Sequence, residues 1–198
     1  RKSRNQQEYE EKIAFCISEV DRLNHMVDQL LLLARFENQK QNIKKETIFL
    51  NAIILDNLTR FSNKIDAKKI KVITHFENDF YLVSDNYLIS IIISNLISNA
   101  VKYSNYQSKI SISLTNTSNE VLFSITDNGI GISATDIDKI FNSFYRSDVS
   151  NHSEIKGTGL GLSIVKRLCD LLKIKIHLES ELDKGTNFIL SFPLDNLK

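Results

Sequence analysis

Asn95 and Asn99 stand four residues apart in Asn95-Leu96-Ile97-Ser98-Asn99-Ala100-Val101-Lys102-Tyr103, so on a helix the two amides share one face. Amide oxygens are hard ligands suited to Mg²⁺, the Lys102 ammonium suits a phosphate, and the Tyr103 ring suits a base. Solvated or capping asparagines would leave the same pattern. Asp127-Asn128-Gly129-Ile130-Gly131-Ile132 follows an alternating strand pattern. A carboxylate at a strand end can accept a hydrogen bond from an exocyclic amine, and the glycines let the backbone approach a planar ring. Asp-Asn-Gly is equally an ordinary hairpin signal. Gly157-Thr158-Gly159-Leu160-Gly161-Leu162 opens an amphipathic run, where backbone N–H groups and a helix dipole would suit an anion. No Gly-Lys-Ser/Thr follows, which excludes a Walker loop. The spacing also fails the dinucleotide fingerprint, and no βαβ unit brackets it. Gly185-Thr186-Asn187-Phe188 is a turn entering a final strand. The polar, unpatterned stretch 147–156 reads as a mobile lid.

Regular elements must position these segments. Periodicity predicts one long helix from 9 to about 37, roughly 43 Å at 1.5 Å per residue. Ile13, Cys16, Val20, Leu23, Val27, Leu30 and Ala34 recur three and four apart, with Ile17, Leu31 and Leu33 widening the stripe. Glu11, Glu19, Asp21, Arg22 and Asp28 mark the opposite face. So broad an apolar stripe needs partners, either other chains or a helix upstream. A polar connector at 38–45 separates this helix from a mixed α/β region. Strands are expected at 47–50, 70–76, 80–83, 109–115, 121–126, 174–180 and 187–192, and helices at 51–67, 86–103, 134–143 and 159–172. Asp85 is the expected N-cap of the second of these helices.

Composition narrows the classes. Average usage at 198 residues would give roughly 14 Gly and 10 Pro. The chain has 6 and 1, and every glycine lies in the three clusters 129/131, 157/159/161 and 185. Lys plus Arg is 25 against 24 for Asp plus Glu, without the basic excess of a nucleic-acid binder. Two cysteines, Cys16 and Cys169, make neither a disulfide framework nor a zinc site. No run approaches the ~18 apolar residues of a membrane span. The chain begins at Arg1 without a signal pattern, as expected of a piece of something longer.

In order and spacing, the four segments resemble the ATP-binding domain of bacterial sensor histidine kinases. That domain belongs to the larger group with DNA gyrase, the mismatch-repair ATPases and the ninety-kilodalton chaperones. Asn95 to Tyr103 is similar to the N box, Asp127 to Gly131 to the first glycine box, and Phe141 to Phe144 to the F box. Gly157 to Gly161 is similar to the second glycine box, and Gly185-Thr186 to the last. The resemblance covers 46–193 and implies an α+β fold, a two-layer sandwich of the Bergerat type with a mixed, mostly antiparallel sheet. Residues 1–40 are similar to the second helix of a dimerisation hairpin, and 41–198 to the catalytic domain. It implies ATP and Mg²⁺ as ligands, with Asn99 holding the metal and Asn95 near it or its water. Lys102 would meet phosphate and Tyr103 the nucleotide. Asp127 would read the adenine amine, with Gly129, Gly131 and Ile132 about the base and Thr186 supporting Asp127 through water. Gly157, Thr158, Gly159, Leu160, Gly161 and Leu162 would line the phosphates. Arg146 would be a γ-phosphate contact, while Phe141 and Phe144 would pack the lid base.

Position 95 bears on the reaction class. ATP-hydrolysing relatives place a glutamate there as general base. An asparagine cannot take a proton, which suits transfer to an imidazole that is already nucleophilic. The resemblance therefore implies a histidine kinase acting with a response regulator receiver domain, a homodimer through the N-terminal helix, and a cytoplasmic position in a membrane-anchored parent. None of His25, His75, His152 and His177 has the acceptor context of an acidic neighbour and Thr-Pro. The acceptor helix is thus expected outside this chain, leaving no catalytic residue within it. A nucleotide-binding module that signals by conformation or dimerisation without phosphotransfer is the alternative, and an ATP-hydrolysing clamp a third.

Overall fold

The computed structural model describes residues 6–38, 43–147 and 157–193. The middle of the expected connector (39–42) and nearly all of the expected lid (148–156, with His152) lie outside the described residues. The chain divides into two compact units, Arg1–Gln41 and Asn42–Lys198.

The first unit is one helix, α1 (Gln6–Asn38). Its three-and-four spacing produces an apolar stripe, and Ile13, Ile17, Val20, Leu23, Val27 and Leu31 are all exposed along it. Cys16 is exposed in the same stripe. The side chains of His25, Leu33 and Ala34 lie outside the description. Burial of such a face is what stabilises a helix in water, and within α1 alone nothing covers it.

The second unit is a two-layer α+β sandwich. Its elements run β1 (Glu46–Phe49), α2 (Leu50–Arg60), α3 (Ser62–Ala67), β2 (Lys71–Phe76), β3 (Tyr81–Ser84) and α4 (Asn86–Tyr103). There follow β4 (Lys109–Asn116), β5 (Glu120–Asp127), α5 (Gly161–Leu172), β6 (Lys175–Glu181) and β7 (Gly185–Pro193). A five-stranded sheet has the order β2-β4-β5-β7-β6, with only β2–β4 parallel. β1 and β3 form a separate antiparallel pair, on which Phe49 stacks against Tyr81 with ring centroids 4.9 Å apart. Helix α4 packs against α2, α5 and β5, and carries the core contacts Ile89, Ile92, Ile93, Leu96 and Ile97. The Asp85 carboxylate caps it as expected, accepting from the Leu88 N–H at 3.1 Å.

Two expected helices differ. The 51–67 helix is broken at Phe61, whose N–H turns back to Leu58 O in a tightened turn before α3 begins. The 134–143 helix does not form; the segment is a chain of turns. Asp136, Lys139 and Asn142 each donate to the carbonyl three residues back. Local hydroxyl and carboxylate groups compete with a helix there: Asp136 accepts from the Tyr145 hydroxyl at 2.9 Å and from Ser147, and Ser133 pairs with Thr135.

Candidate functional site

Strand register places Asp127. Along β5 every second residue faces the core, and Val121, Phe123 and Ile125 are buried there. Asp127 is the fourth inward position, only 6% exposed, at the end where the apolar layer stops. Opposite it in β7 stands Thr186, equally buried. The carboxylate accepts from the Gly129 N–H at 2.9 Å and from the Thr186 backbone N–H. Burial nevertheless dominates these hydrogen bonds and pushes its pKa up from 3.8 to about 6. The Thr186 hydroxyl pairs with Ser180 Oγ at 2.9 Å, and Ser180 Oγ in turn accepts from the Ile132 N–H at 2.9 Å. Ser180 is thus a supporting residue that the sequence did not single out; its only signal is its place opposite Thr186. Gly131 has φ +66°, and a Cβ there would collide with the Glu181 carbonyl, so this turn needs glycine.

The asparagines lie on a half-buried strip beside the core face of α4 rather than on it. Ile91, Asn95, Asn99 and Lys102 follow one another at helical spacing, each half-buried, because the adjacent strip (Leu88, Ile92, Leu96) takes the core. The Asn95 NH₂ donates to Ile91 O at 2.9 Å, leaving its Oδ1 facing the start of α5. A Cβ on Gly161 would stand 2.7 Å from that oxygen, so the bare backbone of Gly161 is what lets α5 approach α4 there. The Asn99 side chain makes no hydrogen bond to any described residue. The Lys102 ammonium donates to the Tyr103 hydroxyl at 3.1 Å, lies 4.7 Å from that ring's centre, and is in contact range of Gly157.

Residues 157–162 thus run along the α4 strip. Leu160 is fully buried, so only its backbone can face a ligand. The Leu160 N–H is held by Thr158 Oγ1 at 3.3 Å, and no side chain caps α5, whose first-turn N–H groups stay available to an anion. Phe144 donates its N–H to Gly159 O at 2.9 Å, tying the F-box segment to this loop. The Phe144 side chain is 59% exposed on a left-handed backbone (φ +66°), and the lid whose base it was expected to pack lies almost wholly outside the described residues. Phe141 is half-buried. Arg146 is exposed, two residues beyond Phe144.

The segments meet through direct contacts. Ser104, just past α4, bridges to Gly129, and Ile130 N–H donates to Tyr103 O at 3.2 Å, so the Asp127 loop is docked on the end of the asparagine helix. Residues 84–196 match the family model described as histidine kinase-, DNA gyrase B-, and HSP90-like ATPase. The chain belongs to this family. Among curated members it is 34% identical over 179 residues to sensor protein RprX of Bacteroides fragilis, covering 89% of this chain and 34% of RprX. It is 32% identical over 193 residues to sensor protein kinase GraS of Staphylococcus aureus, covering 97% of this chain and 55% of GraS. The chain therefore spans about a third to a half of the curated relatives it matches. Among solved structures it is similar to histidine kinase ThkA in complex with response regulator protein TrrA, with TM-score 0.76 and 23% identity, covering 96% of this chain and 53% of that one. At that identity the likeness shows a shared fold.

The donor set of this ATPase-family site can be tested against Mg²⁺. Among the described residues no three His, Cys, Asp or Glu side chains cluster as a metal cage. Two neutral amides, Asn95 and Asn99, whose oxygens have no hydrogen-bond partner among the described residues, fit a Mg²⁺ that keeps most of its ligands as phosphate and water. Among the described residues no helix is long and apolar enough to cross a membrane.

Proposed function

We propose that this chain binds Mg²⁺-ATP between α4, the Asp127 loop and residues 157–162. Within a longer sensor kinase, it would present the γ-phosphate to a histidine for relay to a receiver domain. The observation that carries the reading is the convergence of two glycine clusters, 129/131 and 157/159/161, on the C-terminal half of α4 that bears the asparagine pair, with Gly185 packed against the Asp127 loop. Asp127 accepts the adenine amine, with its carboxylate already aimed by the Gly129 and Thr186 N–H groups. Gly129, Gly131 and Ile132 border the base. Lys102 and the N–H groups of 159–162 meet the phosphates, with Arg146 as a further contact to the terminal one. Mg²⁺, held by Asn99 with Asn95 beside it, would neutralise phosphate charge. Asn95 has its NH₂ tied to its own helix and no basic group, so it orients rather than deprotonates.

The exposed stripe of α1 supports its assignment as one helix of a dimerisation hairpin, covered in the assembly by its own second copy and a companion helix. The parent is then a membrane-anchored sensor with this part in the cytoplasm. Titration with a non-hydrolysable ATP analogue tests the reading: binding that strengthens with Mg²⁺ is expected, and no binding in either condition overturns it. Steady ATP hydrolysis by the isolated chain would favour the clamp-type ATPases instead.

A further inference from the structure

An α-helix leaves its last four carbonyls without intrahelical partners, and each must find one. In α4 this set can be followed atom by atom. Ala100 O takes the Ser104 N–H at 3.0 Å, and Tyr103 O takes the Ile130 N–H at 3.2 Å. The others go to a single side chain. Lys68 Nζ donates to Val101 O at 3.0 Å, to Lys102 O at 2.8 Å and, just past the helix, to Ser104 O at 2.9 Å. An ammonium has three N–H donors, and all three are used.

Lys68 is itself held in place. It closes α3, its N–H donates to Lys64 O at 3.2 Å, and its carbonyl accepts from the Gln107 N–H at 2.8 Å. The following residue, Lys69, takes a left-handed turn (φ 51°) that sends the chain into β2. The clamp therefore ties the α3–β2 corner to the end of α4. At that same end Lys102 and Tyr103 project toward the site, and the Asp127 loop is docked through Ile130 and the Ser104–Gly129 bridge. A cation at a helix C-terminus is also favoured by the helix dipole.

We propose that Lys68 is a positioning residue for the nucleotide site: by closing the carbonyl end of α4, it holds Lys102, Tyr103 and the 129–130 turn in one arrangement that a nucleotide can meet at both base and phosphate. This rests on the ATP reading above. Lys68 touches no ligand in it and acts through α4.

The test uses Lys68→Met, Lys68→Arg and a core control, Leu114→Ala, which removes a fully buried side chain on β4, paired across the sheet with Phe123. Two readouts are taken well below each variant's melting midpoint. The first is amide hydrogen exchange at Ile130 and at 101–104, which needs no nucleotide. Lys68→Met should speed exchange there by about tenfold, with Lys68→Arg close to wild type and Leu114→Ala without a local effect at these sites. The second is affinity for a Mg²⁺-bound ATP analogue, which Lys68→Met should weaken by about fivefold and Leu114→Ala should leave unchanged. Unchanged exchange at Ile130 in Lys68→Met overturns the proposal. So does faster exchange with undiminished affinity, or an affinity loss that Leu114→Ala matches. A wild-type chain that binds no nucleotide would refute the ATP reading, and with it a role for Lys68 in binding. The exchange measurement would still decide whether Lys68 anchors α4.

Discussion

The two ends of the proposed site, the Asp127 end and the end along α4 and 157–162, are built in opposite ways. Around Asp127 almost every polar group already has a partner: the carboxylate takes two backbone N–H groups, Thr186 pairs with Ser180, and Ser180 holds Ile132. That end is buried and set before any ligand arrives. Along α4 and 157–162, among the described residues, Asn99 has no hydrogen-bond partner, Asn95 Oδ1 faces open backbone, and no side chain caps the first turn of α5. A planar base is best read by a preformed slot, whereas a hydrated metal–triphosphate needs donors and acceptors still free to rearrange around it.

The contrast is most directly broken at Asp127. Asp127→Ala should weaken adenine nucleotides by roughly a hundredfold while inorganic tripolyphosphate binding stays nearly constant. Equal losses in calorimetric titrations would mean that Asp127 only holds the fold. Asn99→Ala should act at the other end, costing about tenfold in affinity with Mg²⁺ and little without it. A loss independent of the metal would remove Asn99 from the metal's ligands.

Titration sharpens the same division. Folded Asp127 titrates at about 6 instead of 3.8, so between those values the folded state holds a proton that the unfolded chain has lost. Stability therefore falls as pH rises through that window, by roughly 3 kcal/mol once both states are ionised. Asp127→Asn should accordingly raise the melting midpoint at pH 7.5, with a gain that shrinks toward pH 4. A gain constant across pH would contradict burial as its cause. Binding moves the other way, since the adenine amine needs the ionised acceptor. Lowering pH from 7.5 to 5.5 should cost about fourfold in ATP affinity relative to tripolyphosphate. A flat ratio would show that the carboxylate does not meet the base.

Much of this arrangement was legible in local pattern. The strand pattern at 121–126 already placed Asp127 at a strand end, and the Asn95–Asn99 spacing implied one helical face. The Asp85 cap was readable for the same reason: it concerns groups within one turn. What failed was also local in appearance but settled by competition. The 134–143 pattern resembled a helix, yet Asp136 and its neighbouring hydroxyls offered other partners. Lys68, one lysine among several in a polar stretch, carried no sequence signal; only its three carbonyl partners distinguish it.

Residue order alone determined most of the strands and helices, where glycine permits close approach, and which side chains offer amide, carboxylate or ammonium. Those properties depend on neighbours within a few residues. Tertiary structure decided which groups are left unpaired and which are satisfied: Asp127 raised in pKa by burial, Asn99 without a hydrogen-bond partner among the described residues, and the end of α4 closed by Lys68 and Ile130. Burial and hydrogen-bond partners are supplied by chain tens of residues away, and no periodicity encodes them.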